Sequence, residues 1–234
     1  LRGGSLSPGG EGEGEGEGEM KITKIEKQKR RQDLFSLFLD GKYALHLHKD
    51  VLSDLKWKIG QEVDQQEIKR VTCLEQLKEA RDYAFLLLSY RARGCQEITG
   101  RLLKKGYERK IAQEVVEELK RLDYLDDRAF AIEWVEMRLR GKRGKRLIRQ
   151  ELLKKGIEKE IIDDSIDEGL KKIGPTEDEL AWQAIEKRIP RYQKLEKSKA
   201  YRRIKDFLIR RGFSLETTEN TLDKFFQNYG KDAE

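Results

Sequence analysis

The sequence predicts a mainly α-helical protein: three tandem three-helix repeats forming an elongated curved array, preceded by a small N-terminal segment containing a β-hairpin. Three observations lead there. The segment LLKKGY at Leu102–Tyr107 recurs as LLKKGI at Leu152–Ile157 and as LIRRGF at Leu208–Phe213, a spacing of roughly fifty residues that marks stacked supersecondary units. Charged residues make up 40% of the chain and aromatics 8%, which suits helices that each bury one narrow stripe better than one large core. Proline occurs three times, leaving long stretches free for helix.

The chain begins with LRGGSLSPGG and an alternating Glu-Gly run that ends at Glu19. A two-residue repeat without apolar content cannot bury a core, so residues 1–19 read as a disordered expression-tag remnant and Met20 is expected to open the natural chain. The tag holds Arg2 against five glutamates, a net of −4, so the formal +6 of the whole chain becomes +10 for the remainder. That balance suits a polyanionic partner.

Residues 20–72 form the first expected unit. Asp33–Leu39 is rich in Leu and Phe, Asp40-Gly41 is a hairpin turn signal, and Lys42–His48 alternates apolar and polar residues. A third strand fits Lys21–Glu26, a short helix Asp50–Trp57, and a longer helix starts near Asp64. The repeats then follow as residues 73–124, 125–173 and 174–234.

Each repeated motif has one physical meaning. Leucine-type residues end an amphipathic helix, and two cations occupy its last turn, where the macrodipole favours them. Gly106, Gly156 and Gly212 should then supply equivalent left-handed caps, with an apolar residue folding back behind each. The next helix carries its own stripe: Ile111, Val115 and Leu119 in the first unit, and Ile157, Ile161, Ile162 and Ile166 in the second. A further helix precedes the motif in each unit, with Phe130, Trp134 and Met137 expected inward in the second and Leu180, Trp182 and Ile185 in the third. Thr176 and Glu179 form a capping-box pattern, and Pro190–Lys197 reads as a longer loop inside the third unit.

Several functions find no support. No stretch has the ~18 apolar residues that a membrane span needs. Cys73 and Cys95 lack metal-ligand spacing and are expected to stay reduced in a cytoplasmic protein. His46 and His48 share one face of a strand, but no third ligand is near in sequence, so neither a metal nor another cofactor is expected. The pairs Asp126-Asp127 and Asp163-Asp164 could hold a divalent ion in a nuclease. Asp126, however, stands at a helix N-cap, and Asp163 and Asp164 lie opposite an isoleucine stripe. No catalytic residues are assigned.

The candidate binding residues are basic. RLRGKRGKRLIR at Arg138–Arg149 holds seven cations and no acid: Arg138, Arg140, Lys142, Arg143, Lys145, Arg146 and Arg149. Gly141 and Gly144 would let this joint approach another surface closely. Its counterparts are Arg91 and Arg93 with Gly94 in the first unit, and Lys199, Arg202 and Arg203 in the third. Basic joints repeated along one edge would fit a phosphate backbone or an acidic protein groove. Tyr90, Tyr192 and Tyr201 are candidates for stacking on bases.

The run YLDDRAFAIEWVEMRLRGKRGKRLIRQELLKKGI at Tyr124–Ile157 resembles the central repeat of the RecX family: a Leu-Asp-Asp start, Phe-Ala, an Arg/Gly-rich joint and an Ile-Arg-Gln-Glu-Leu helix closed by Gly-Ile. Glu97-Ile98 and Leu102–Tyr107 are similar to the family's first repeat, Thr176–Phe226 more loosely to its third, and the hairpin segment to the N-terminal extension of Gram-positive members. The third repeat departs in its Arg191–Lys197 insertion, and Cys95 and Thr99 stand where polar or basic residues are usual. The resemblance implies a monomeric, non-enzymatic regulator that binds the RecA nucleoprotein filament. Such a protein inhibits the filament's recombinase, ATPase and co-protease activities in DNA repair, recombination and the SOS response. The alternative is a DNA-binding helical repeat protein that acts mainly through its basic joints.

Overall fold

The computed structural model describes residues 18–29 and 31–229. The expectation of a disordered tag falls, for residues 1–17, outside the described residues. The chain divides into two compact units between Glu79 and Ala80.

The first unit is built on a four-stranded sheet of order β3-β2-β1-β4, from β1 (Met20–Lys27), β2 (Leu34–Leu39), β3 (Lys42–His48) and β4 (Glu62–Val63). β1 pairs antiparallel with both β2 and β4. The expected hairpin joins β2 to β3, with Asp40 and Gly41 both at positive φ (48° and 77°), the backbone that a tight two-residue turn demands. The two-residue β4 is too short to leave a signature in the sequence. α1 (Lys49–Leu55) and the first part of α2 (Gln65–Tyr90) follow. The Asp64 carboxylate caps α2 by accepting the Glu67 N–H at 2.6 Å. Ile22, Leu37, Leu39, Leu47, Trp57, Val63 and Val71 form the core of this unit. α2 runs unbroken through residues 72 and 73, so no loop marks the start of the repeats.

The second unit holds the repeats: the end of α2 with α3 (Cys95–Lys105) and α4 (Arg109–Arg121), then α5 (Asp127–Arg140), α6 (Lys145–Lys154) and α7 (Lys159–Ile173), then α8 (Glu177–Glu186), α10 (Lys197–Arg210) and α11 (Leu215–Tyr229). The three motif glycines adopt the left-handed conformation, at φ 104°, 81° and 88° for Gly106, Gly156 and Gly212. Their hydrogen bonds match: Tyr107, Ile157 and Phe213 each donate N–H to the leucine carbonyl five residues back, at 3.2, 3.1 and 3.2 Å. Asp126 caps α5 through the N–H groups of Arg128 and Ala129, and Thr176 and Glu179 close the capping box of α8.

Two details differ from expectation. Pro190–Lys197 is not wholly loop, because Ile189–Gln193 makes a short helix, α9, with Pro190 in its first turn, where a missing N–H costs nothing. Met137 is half exposed, and Ala131, Val135 and Leu139 supply the inner face of α5 beside Phe130. The buried stripes of the second and third repeats merge into one cluster running from Phe130 to Phe225, as stacking of neighbouring repeats requires.

Candidate partner-binding surface

The basic joint between α5 and α6 is held by the repeat that follows it. Gly141, Lys142 and Arg143 donate N–H back to the carbonyls of Met137, Leu139 and Arg138, with Lys142 in the left-handed region at φ 56°. Gly144 then donates to the carbonyl of Arg211 at 2.9 Å, and Arg146 to that of Gly212 at 3.0 Å. The Arg211 guanidinium donates to the carbonyls of Gly141 and Lys142 at 3.1 and 3.0 Å. The close approach expected of Gly144 is therefore made within the protein. A Cβ there would overlap the backbone of Gly212.

Acids of the same and neighbouring helices neutralise much of the joint. Arg138 grips Glu151 with two hydrogen bonds at 2.7 and 2.8 Å and lies 4.7 Å from the centroid of the Trp134 ring. Arg140 pairs with Glu136 at 2.8 Å, and Arg149 with Asp163. The Lys142 ammonium donates to the Gln183 carbonyl at 3.0 Å. Lys145 meets Glu177 through its backbone N–H at 3.0 Å. Burial pushes the Glu177 carboxyl above the usual range, against the opposing pull of Lys145. Arg91 and Arg93 of the first repeat converge on Glu97, and Arg93 is buried, with its Nε donating to the Leu87 carbonyl at 2.9 Å. Lys199 lies 3.5 Å from Glu196. Of the twelve candidate cations, Arg143, Arg146, Arg202 and Arg203, together with Lys142, whose ammonium meets a backbone carbonyl, make no ion pair to a carboxylate among the described residues.

A further group of arginines lies in the third repeat, next to Arg211, on which Arg143 also acts. Arg188, Arg191, Arg203 and Arg210 line a groove with Tyr192 and Phe207, and Asp206 is the one acid in that lining. The Arg188 and Arg211 guanidiniums sit 4.5 and 4.8 Å from the centroid of the Phe207 ring. Burial, then the nearby Arg143 and Arg188, pull the ionisation of Arg211 below its ordinary value. Like charges are thus packed at a cost that an anion would relieve. Arg188, Arg191 and Arg210 escaped the sequence reading. Arg210 falls in a helix-terminal motif where cations already had an explanation, and Arg188 and Arg191 flank the apparent loop at Pro190.

The stacking candidates divide. Tyr90 is largely exposed, whereas Tyr192 is buried and so is not available to stack on a base. The Tyr201 hydroxyl donates to Glu219 at 3.0 Å, and its ring stacks on Phe226. Asp126 is taken up by its cap, as the sequence suggested, and the outward-facing Asp163 by Arg149. Cys73 and Cys95 are both free thiols, and no helix among the described residues is long and apolar enough to cross a membrane.

Four family models match successive parts of the chain. The RecX N-terminal domain matches residues 20–64, and the first, second and third RecX three-helix domains match residues 80–119, 126–166 and 176–222. The regulatory protein RecX of Bacillus subtilis is 32% identical over 217 residues, covering 91% of this chain and 80% of its own. That of Bacillus cytotoxicus is 32% identical, covering 87% and 76%. A crystal structure of regulatory protein RecX superposes with a TM-score of 0.66 at 29% identity, over 87% of this chain and 99% of that one. RecX from Lactobacillus salivarius gives a TM-score of 0.59 at 22% identity, over 66% of this chain and 99% of its own, a likeness of fold alone. With matches to all four domains in order, and relatives at 32% identity over most of both chains, this chain belongs to the RecX family of regulatory proteins.

Proposed function

We propose that this protein is a non-enzymatic, cytoplasmic regulator that docks on the RecA nucleoprotein filament and inhibits its ATPase, strand-exchange and co-protease activities. The carrying observation is the arginine-rich groove of Arg188, Arg191, Arg203 and Arg210, with Asp206 as its one acid and with Arg143 and Arg188 both acting on Arg211, in the second unit of a RecX-family chain. Supporting it, consecutive repeats place several weak contacts on one chain, and linked contacts reinforce one another through high effective concentration. A second reading, direct DNA binding, is favoured by the two guanidiniums beside the Phe207 ring, since planar cations beside an aromatic ring suit a phosphate backbone with neighbouring bases.

The test is RecA ATPase and filament stability on single-stranded DNA with the purified protein added, run beside salt-dependent DNA binding without RecA. Inhibition at concentrations where the protein alone leaves DNA unbound supports filament docking. Inhibition that tracks DNA occupancy supports the second reading, and no effect on the filament overturns the first.

A further inference from the structure

The regulatory reading gives no role to the histidines of the N-terminal unit, and the structure supplies the partners they lack in sequence. His46 and His48, two residues apart on β3, share one face of the strand. Glu75 and Glu79, four apart on α2, share one face of the helix. The two faces meet. His46 Nε2 lies 3.1 Å from Glu79 Oε1, and His48 Nδ1 contacts Glu75 Oε1. Glu75 Oε2 also accepts the His48 backbone N–H at 2.9 Å. The ligand atoms of His46, Glu75 and Glu79 all fall within 4.8 Å of one another.

We propose that His46, Glu75 and Glu79 bind one divalent transition cation, with Zn²⁺ the best match, and that His48 acts as a positioning residue. One imidazole nitrogen and two carboxylates form a donor set that suits zinc, whose bonds to such atoms run about 2.0–2.2 Å. Modest side-chain rotation closes the present spacing to that length. The environment favours the ion. Glu75 is only 4% exposed, so its carboxylate has little water to solvate it, while a second carboxylate stands nearby. Lys78 already has Asp50 at 3.3 Å, and Asp33 brings a further negative charge 3.9 Å from His48 Nε2. A dication would compensate this excess where a single cationic side chain would not.

His48 is suited to orienting rather than ligating. It sits between Glu75 and Asp33, and a group in that place fixes the direction of a metal-binding carboxylate. The His46 and Glu79 side chains are 37% and 28% exposed, which leaves an entry path and room for water at the remaining coordination position. The bound ion would tie β3 to α2 within the N-terminal unit.

The test is isothermal titration of chelator-treated full-length protein with Zn²⁺ alone, with Co²⁺ absorption as the spectroscopic readout. One site per chain is expected, with visible Co²⁺ d–d bands. His46→Ala and Glu79→Gln should each weaken binding by about tenfold or more and remove the bands, whereas His48→Gln should weaken binding and keep them. His46 and Glu79 are partly exposed, so both variants should retain the circular dichroism of the parent, and they decide the matter even if a Glu75 variant fails to fold. Absence of saturable 1:1 binding, or binding unchanged in His46→Ala and Glu79→Gln, overturns the proposal. Neither result bears on regulation of RecA, which is read by a separate assay.

Discussion

Gly144, at the mouth of α6, rests directly on Gly212, the cap of α10, with no side chain between the two backbones. The adjoining hydrogen bonds, Gly144 to Arg211 at 2.9 Å and Arg146 to Gly212 at 3.0 Å, fix the second repeat to the third. The first repeat meets the second in a related way: Gly156 packs against the side chain of Gln96, and Gly94 lies beside Asp127 and Ile157. The joint of one repeat is thus seated on the cap of the next, so that Gly156 and Gly212, unlike Gly106, serve as docking points as well as helix stops.

This relationship ranks substitutions that the repeat pattern alone would treat alike. Gly106 is left-handed but has open space around it, so Gly106→Ala should cost only the left-handed penalty of about 1–2 kcal/mol. Gly144 has an ordinary φ of −80° but no room, and Gly144→Ala must separate two backbones, an overpacking cost of about 1–3 kcal/mol or more. Gly212→Ala meets both penalties and should be the worst. Urea denaturation of the three variants checks the order, and equal losses would contradict the docking role.

The fold was legible in the sequence because its signals are local. A leucine pair, two cations, a glycine and an apolar residue specify a helix stop wherever they occur, and Asp126, Thr176 and Asp40-Gly41 carry their own capping and turn chemistry. The candidate surface was less legible because neutralisation is not local. Glu136 meets Arg140 one helical turn away, but Glu151, Asp163 and Glu177 reach the cations of Arg138–Arg149 from other helices. Arg188 came to act with Arg143 on Arg211 only through tertiary packing. Charge counting along the chain cannot separate a cation held by a distant acid from one left free.

Two such pairings should appear in the acid stability of the protein. Glu136 is held below the ordinary carboxylate value of 4.5 by Lys172, against burial and with help from Arg140. Burial would raise Glu97, but Arg91 and Arg93 together pull it below 4.5. A depressed carboxyl stabilises the fold fully above its unfolded value and loses that contribution as pH falls through the folded one. Unfolding midpoints should therefore hold steady above about pH 5 and drop below it. Glu136→Gln should be less stable than the parent at neutral pH, with the gap closing as pH falls through the depressed folded value of that carboxyl. A gap that persists undiminished into acid would assign the loss to packing instead.

Cys95 should be a poor nucleophile. Burial first, then the neighbouring Asp127 carboxylate, push its thiol up to about 12, so at pH 8 on the order of one molecule in ten thousand carries the reactive thiolate there. Native-state alkylation followed by peptide mass spectrometry should find Cys95 protected and then released in denaturant. Asp127→Asn should speed its modification without unfolding. Non-reducing mass spectrometry should recover Cys73 and Cys95 as free thiols, and a quantitative internal bridge would contradict a reduced cytoplasmic chain.

The proposed docking surface is best tested at Arg143, Arg188 and Arg203, none of which is ion-paired to a carboxylate among the described residues. Reversing Arg138 instead would break its bidentate grip on Glu151 and confound binding with stability. Arg188→Glu has the opposite character, because it places a carboxylate beside Arg211, where two neighbouring cations now stand. That variant should keep or raise the thermal midpoint while weakening inhibition of the RecA ATPase. The triple reversal Arg143→Glu, Arg188→Glu and Arg203→Glu should abolish inhibition with the helical spectrum intact. If DNA contact carries the function, each lost phosphate contact should also lower the log–log salt slope by about 0.9 on duplex or about 0.7 on single strands. A slope that holds while inhibition vanishes would place these arginines on an acidic protein groove, and a folded triple variant that inhibits like the parent would remove the cluster from the function altogether.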